Sequence, residues 1–314
     1  MSVDPGEEDV DFKPGHEITS KKATYVVEKL LGEGGFGAVY KVKESKTGKL
    51  YALKVEKKSE TKPSKLKMEI AILKLVSGER KTSHFTEIVD RGKKDKEGYF
   101  FLVMELAGAS LADLKKKRGK MSGAFSPPTA LSASLQCLEA CEDLHKYGYI
   151  HRDLKPANYA CGADKKSHTI YILDFGISRK ILNDRNELKT PRVTVRFKGT
   201  IKFASMACHK GIELGWKDDC ESWFYLLLDL ILPNGLQWRG NQDKGTVCKA
   251  KEEVRSKPKD AYQGLKCWNI LDKIITYIDQ LQYQDHVDYH YIYRHLTEAC
   301  ISCGGKMEAP YDWE

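Results

Sequence analysis

The sequence predicts an α+β fold in two lobes, a small β-rich half with one main helix followed by a larger, mostly helical half, with the boundary near residue 106. Three observations predict it. Between Tyr25 and Met104 apolar residues come in short, partly alternating runs, broken by one stretch of helical spacing. Beyond Gly108 they recur at helical intervals. The 314 residues are 41% hydrophobic and 31% charged with only 10 prolines, which excludes a collagen-like or mostly disordered chain. That length suits one large or two medium domains.

Residues 1–20 carry Asp, Glu, Pro and Gly without periodicity and read as a flexible acidic tail; 21–106 form the first lobe and 107–314 the second. Tyr25-Val26-Val27 leads through Leu30-Leu31 and a glycine cluster into the strand Ala38–Val42, and after a turn at Thr47-Gly48 comes Tyr51–Val55. Pro63 suits a first helical turn, and Leu66, Ile70 and Leu73 recur at helical spacing. Strand-like runs follow at Thr86–Val89 and Tyr99–Met104. In the second lobe Leu131, Leu135, Leu138 and Cys141 mark a long helix, Trp223–Leu232 a buried one, and Trp268, Leu271, Ile275 and Ile278 another. Short β runs are expected at Tyr149–His151 and Ile170–Leu173.

The 52 basic and 44 acidic residues give +8, a mild bias that fits acidic or phosphorylated partners and is no nucleic-acid signature. Trp223–Leu232 is interrupted by Asp229 and too short to span a bilayer, and the acidic N-terminus lacks a secretory signal's apolar run. The expectation is an intracellular, cytoplasmic monomer with neither nucleic-acid nor membrane partner. The nine cysteines are expected as reduced thiols; Cys300 and Cys303 have metal-knuckle spacing, but no second close pair completes a four-ligand site.

Four stretches carry chemistry. Gly32-Glu33-Gly34-Gly35-Phe36-Gly37 lets backbone approach a polyphosphate closely. A dinucleotide fingerprint would open a helix here, whereas Ala38–Val42 continues as a strand, which favours a loop covering nucleotide phosphates. Lys54, on the next strand among Ala52, Leu53 and Val55, needs an anion for its ammonium unless it snorkels to the surface. Glu69 could pair with Lys65 one helical turn away or with Lys54. His151-Arg152-Asp153-Leu154-Lys155-Pro156-Ala157-Asn158 is the most specific signal. In it Asp153 would orient an attacking hydroxyl, Lys155 neutralise charge on a moving phosphoryl group, and Asn158 offer oxygen to a divalent cation. Asp174, in Leu173-Asp174-Phe175-Gly176, would hold the same kind of cation, with Phe175 packed beneath.

Together these stretches resemble the eukaryotic protein kinases over about residues 25–300. Lys198–Ser205, Asp218–Ser222 and Leu236-Gln237-Trp238 are similar to segments of the casein kinase 1 group, and Lys67-Met68-Glu69 and Ser110–Leu114 lean towards its tau-tubulin kinase-like branch. The resemblance implies a two-lobed protein-kinase fold that uses ATP with Mg²⁺. It places Leu31, Val39, Ala52 and Met104 around the nucleotide with the glycine loop, Glu105 to Ala107 at the adenine-binding hinge, and Asp219 as the brace of the catalytic loop. It also implies an anion site for acidic or phosphorylated substrates at Lys202, Gly240 and Lys249, with Thr190 and Thr194 as activation-loop acceptors. Ser205-Met206-Ala207 and Gln237 depart from the group's pattern. The reading is therefore a serine/threonine protein kinase in which Lys54, Glu69, Asp153 and Lys155 are catalytic. A silent kinase-fold scaffold is the alternative, weakened because Lys54, Asp153 and Asp174 are all present. A dinucleotide-dependent oxidoreductase ranks lower still.

Overall fold

The computed structural model describes residues 10–34, 37–59, 61, 63–76, 80, 82–118 and 123–314. The chain divides into two compact units. The first comprises Met1–Lys81, Phe85–Ala107 and Asp174–Gly176, and the second Thr82–His84, Gly108–Leu173 and Ile177–Glu314.

The first unit is built on β1 (Glu17–Thr19), β2 (Thr24–Gly34), β3 (Gly37–Glu44), β4 (Leu50–Lys57), β5 (Ile88–Lys94) and β6 (Tyr99–Glu105), with α1 (Lys65–Val76) between β4 and β5. The strands form one antiparallel sheet in the order β1-β2-β3-β4-β6-β5. Val27, Tyr40, Val42, Leu53, Val55, Phe101 and Val103 fill its core. Residues 1–9 of the expected flexible tail lie outside the described residues, and residues 10–20 pack onto the first unit. Ile18 is fully buried, Phe12 packs in the same core, and the Tyr40 hydroxyl accepts from Phe12 N and donates to Val10 O. Two apolar residues scattered among charges carry too little periodicity to reveal such an edge strand. The strand expected at Thr86–Val89 is instead Ile88–Lys94, an edge strand whose outward charges hide it.

Helix α1 starts where it does because β4 caps it. The Glu56 carboxylate accepts from Lys65 N (2.9 Å), Leu66 N (2.6 Å) and the Ser64 hydroxyl, satisfying orphan donors of the first turn and complementing the helix dipole.

The second unit contains α2 (Leu111–Lys117), α3 (Pro127–Lys146), β7 (Tyr149–Ile150), β8 (Tyr159–Cys161), β9 (Ile170–Ile172), β10 (Arg179–Lys180), α4 (Met206–His209), α5 (Trp216–Ile231), α6 (Lys244–Ser256), α7 (Pro258–Ala261), α8 (Trp268–Gln280) and α9 (Tyr289–Ser302). β8 pairs with β9, and β7 with β10, as two short ladders. α5 is buried almost all round, as its apolar sequence requires, and Trp223 Nε1 donates to Ser134 O of α3 (2.7 Å). Asp312 near the C-terminus accepts from Ser126 N, Ser126 Oγ and Thr129 Oγ1, fixing the start of α3. Among the described residues all nine cysteines are free thiols, and no helix is long and apolar enough to cross a membrane.

Candidate active site

The polar centre of the first unit is Lys54. Its strand places Val39, Ala52, Lys54 and Met104 on one face of the sheet, because Val39 pairs with Lys54 and Ala52 with Met104 across neighbouring strands. The Lys54 residue is 6% exposed. Its ammonium donates to Glu69 Oε2 at 2.6 Å and to Asp174 Oδ1 at 3.2 Å. Burial pulls the ammonium's pKa down, but the Glu69 and Asp174 carboxylates outweigh it and hold the lysine above its ordinary range. The snorkelling alternative for Lys54 is therefore excluded. Asp174 keeps more of its side chain accessible (27%) than Lys54 or Glu69, and sits at φ +63°, a left-handed backbone that aspartate adopts at some strain. Phe175 is buried, and its ring stacks on Phe85 at 5.9 Å.

The glycine loop closes β2 onto β3 with Gly34 paired to Gly37. Gly37 has φ +100°, and a Cβ there would lie 2.0 Å from Val55 O, so only glycine fits. A Cβ at Gly32 would meet nothing within 4 Å, which leaves open space beside the strand. Gly35 and Phe36 lie outside the described residues. Leu31 is 45% exposed, Glu33 is exposed, and Glu105 N bonds to Glu87 O with Ala107 two residues on.

In the second unit the segment His151–Asn158 joins β7 to β8 and is held largely through its backbone. Asp219, in the first turn of α5, accepts from His151 N (2.6 Å), Arg152 N (2.9 Å) and the His145 ring at Nε2 (2.9 Å). Burial raises the Asp219 pKa, but the His145 and His151 interactions reverse that and leave the carboxyl below its ordinary value. Arg152 stands at φ +70°, and its Nε donates to Ile177 O. Burial and the neighbouring Arg179 lower its guanidinium to about 10. His151 Nε2 bonds Leu173 O while its Nδ1 accepts from Asp153 N, which fixes one neutral tautomer.

The Asp153 carboxylate is 8% exposed and meets three groups. Thr200 Oγ1 donates to Oδ1 (2.7 Å), Lys155 Nζ donates to Oδ2 (2.8 Å), and Asn158 Nδ2 donates to Oδ2 (3.3 Å) and to the Asp153 backbone carbonyl (2.8 Å). Lys155 also donates to Thr200 Oγ1 at 2.9 Å, so the three side chains close a ring. Gly199 has φ +98°, and a Cβ there would sit 2.5 Å from Arg152 O. Sequence reading assigned no role to Gly199, Thr200 or His145; a glycine and a threonine beside the charged stretch carry no signal until the backbone brings them against it.

The three residues expected as an anion site differ in their surroundings. Lys202 is an ion-pair partner rather than a free cation, since its ammonium lies 2.6 Å from Asp229 Oδ1 and over the Phe203 ring, and Lys115 holds Asp229 Oδ2 at 2.8 Å. Gly240 and Lys249 are exposed. Thr190 and Thr194 are exposed too, while Arg192 of the same segment is bound bidentately by buried Glu213 (2.6 and 2.9 Å).

The donor sets fit a phosphate chain and a hard cation. The Lys54 ammonium suits phosphate oxygens, and the Asp174 carboxylate and the Asn158 amide oxygen, with Asn158 Nδ2 already spent on Asp153, are hard oxygen donors of the kind that Mg²⁺ or Mn²⁺ takes. Cys141, His145 and Asp219 also cluster, but they already bond to one another and to the backbone: His145 Nε2 lies 2.9 Å from Asp219 Oδ2 and 3.3 Å from Cys141 Sγ, and Asp219 accepts from two backbone N–H groups.

A protein kinase domain model matches residues 25–205. A Caenorhabditis elegans protein named as a serine/threonine-protein kinase is 33% identical over 268 residues, covering 84% of this chain and 78% of the relative. The serine/threonine-protein kinase spe-6 of the same organism is 31% identical, covering 95% of this chain and 77% of its own. A Dictyostelium discoideum protein of the same naming is 29% identical over 98% of this chain and 59% of its own length. With the lysine, the aspartates and the asparagine in the order and chemistry that phosphoryl transfer requires, the chain belongs to the protein kinase family.

Proposed function

We propose that this protein transfers the γ-phosphoryl group of Mg-ATP to serine and threonine hydroxyls of proteins, and that it is a casein kinase 1-like enzyme of the tau-tubulin kinase-like branch, working as a cytoplasmic monomer. The observation that carries the reading is the buried Lys54 ammonium held by Glu69 at 2.6 Å and Asp174 at 3.2 Å. An ammonium sequestered this way is preorganised for the α- and β-phosphates, with Val39, Ala52 and Met104 on the same sheet face for the base and Glu105 to Ala107 offering backbone groups to its edge. Asp174 in the first unit and Asn158 in the second each offer an oxygen that a divalent cation on the phosphates would take.

Asp153 is placed to orient the acceptor hydroxyl and take its proton, and Thr200 and Lys155 fix the carboxylate while it does so. Lys155 also supplies positive charge for the transferring group, which supports serine and threonine as acceptors. Acidic or phosphorylated substrates are supported by a cavity of about 390 Å³ in the second unit, lined by Lys115, Lys116, Lys155 and Lys202 against one lining carboxylate, Asp229, which Lys115 and Lys202 share, so positive charge remains in excess. A peptide array with and without a phosphate upstream of each acceptor tests this reading. It predicts labelled serine and threonine peptides and stronger labelling where an anion precedes them; equal labelling of tyrosine peptides would refute it.

A further inference from the structure

Helix α6 turns Val247, Lys251 and Arg255 inward at intervals of one turn. Lys251 is fully buried, an expensive place for a cation that an aliphatic side chain could fill. Its ammonium donates to Ile201 O (3.1 Å) and Ala204 O (2.7 Å), lies 3.2 Å from His209 Nε2, and faces the rings of Tyr225 (4.5 Å) and Trp238 (5.5 Å). Trp238 Nε1 holds the intervening carbonyl of Lys202 at 2.8 Å. The Ile201, Lys202 and Ala204 carbonyls after Thr200 are thus all tied down, while at Gly199 there is no room for a Cβ, which would sit 2.5 Å from Arg152 O.

We propose that Lys251 is a positioning residue for phosphoryl transfer: its ammonium anchors the Ile201–Ala204 backbone so that the Thr200 hydroxyl stays on Asp153 and Lys155. The proposal rests on the kinase reading of Asp153. The groups facing the ammonium are Glu221 and Tyr225 from α5, Cys208 and His209 from α4, and Cys248 and Arg255 from α6. Burial lowers its pKa, Glu221 and Cys208 restore part of the loss, and the result is about 7. Above that pH the neutral amine has two N–H donors for three acceptors, so the anchor weakens as pH rises.

The test uses the full chain, Lys251→Met and Lys251→Arg, with dephosphorylated casein and ATP varied separately from about pH 6 to about pH 9. The Met variant is expected to lose about tenfold in kcat/KM for casein, the loss of one charge-assisted hydrogen bond, with the KM for ATP unchanged. The wild type should lose activity above about pH 7, and Lys251→Arg should remove that limb. Amide hydrogen exchange of residues 200–206 is read in parallel, and Lys251→Met should speed it. Wild-type exchange in the Met variant, or an alkaline limb that survives in Lys251→Arg, would overturn the proposal. Wild-type protein that labels no acceptor would refute the kinase reading instead, and exchange would still decide the anchor.

Discussion

Lys54 in the first unit and Asp153 in the second are each the polar centre of a small cluster, and the two are secured by different physics. Lys54 is held by charge: two carboxylates surround a buried ammonium, and removing the ammonium takes their shared cation from both. Asp153 is held by direction: a threonine hydroxyl, an amide and a loop whose backbone hangs from Asp219 aim its carboxylate, with Lys155 as a cation bonded to it. The first cluster should therefore fail through electrostatics and stability, and the second through geometry and rate.

The largest effect is expected at Asp153. Asp153→Asn should cut transfer to protein by about 10²–10⁴-fold, the usual contribution of a general base, while nucleotide affinity measured by calorimetry is unchanged. Lys54→Met comes next. Leaving Glu69 buried without its cation should lower unfolding free energy by about 3–5 kcal/mol in denaturant titration, and Lys54→Met with Glu69→Met should recover most of that stability and none of the activity. If the double variant is no more stable than the single one, charge is not what secures the first cluster.

Much of this was legible in the sequence because the groups that do chemistry are bunched. Asp153, Lys155 and Asn158 fall within six residues, and Lys54, Glu69 and Asp174 sit in recognisable strand, helix and loop contexts. What holds those groups was not legible. Glu56 capping α1, Asp219 gathering two backbone donors, and Lys251 under the Ile201–Ala204 carbonyls act at a distance along the chain: 10 residues from Leu66 N to Glu56, 68 from His151 N to Asp219, and 47 from Lys251 to Ala204 O. A lone glutamate or lysine reads as a solvated surface residue until its burial is known. The pairing of Lys202 was hidden for the same reason, since its counter-ion Asp229 lies inside what reads as an apolar helix.

Smaller effects sharpen the contrast. Asp219→Asn should cost about 1–3 kcal/mol by turning an NH₂ towards a backbone donor, and should lower kcat while leaving the KM for ATP unchanged. Gly199→Ala should lower kcat without altering nucleotide affinity, because its Cβ would push Arg152 O from 2.5 Å. The smallest is a pH slope. Burial raises Asp218 to about 6, only partly offset by Lys217, so the folded state holds a proton there that the unfolded chain releases near 3.8. That contribution to stability is full below the unfolded value and is lost as pH rises through about 6; Asp218→Asn should flatten the slope in that window, and an unchanged slope would remove Asp218 as its source.

The central claim is tested most directly by incubating the full chain with γ-labelled ATP, Mg²⁺ and dephosphorylated casein, followed by phosphoamino-acid analysis. The account predicts label on serine and threonine, cut at least about 10²-fold in both Asp153→Asn and Asp174→Asn. Label that persists at the wild-type rate in both variants, or that appears equally on tyrosine, would contradict it.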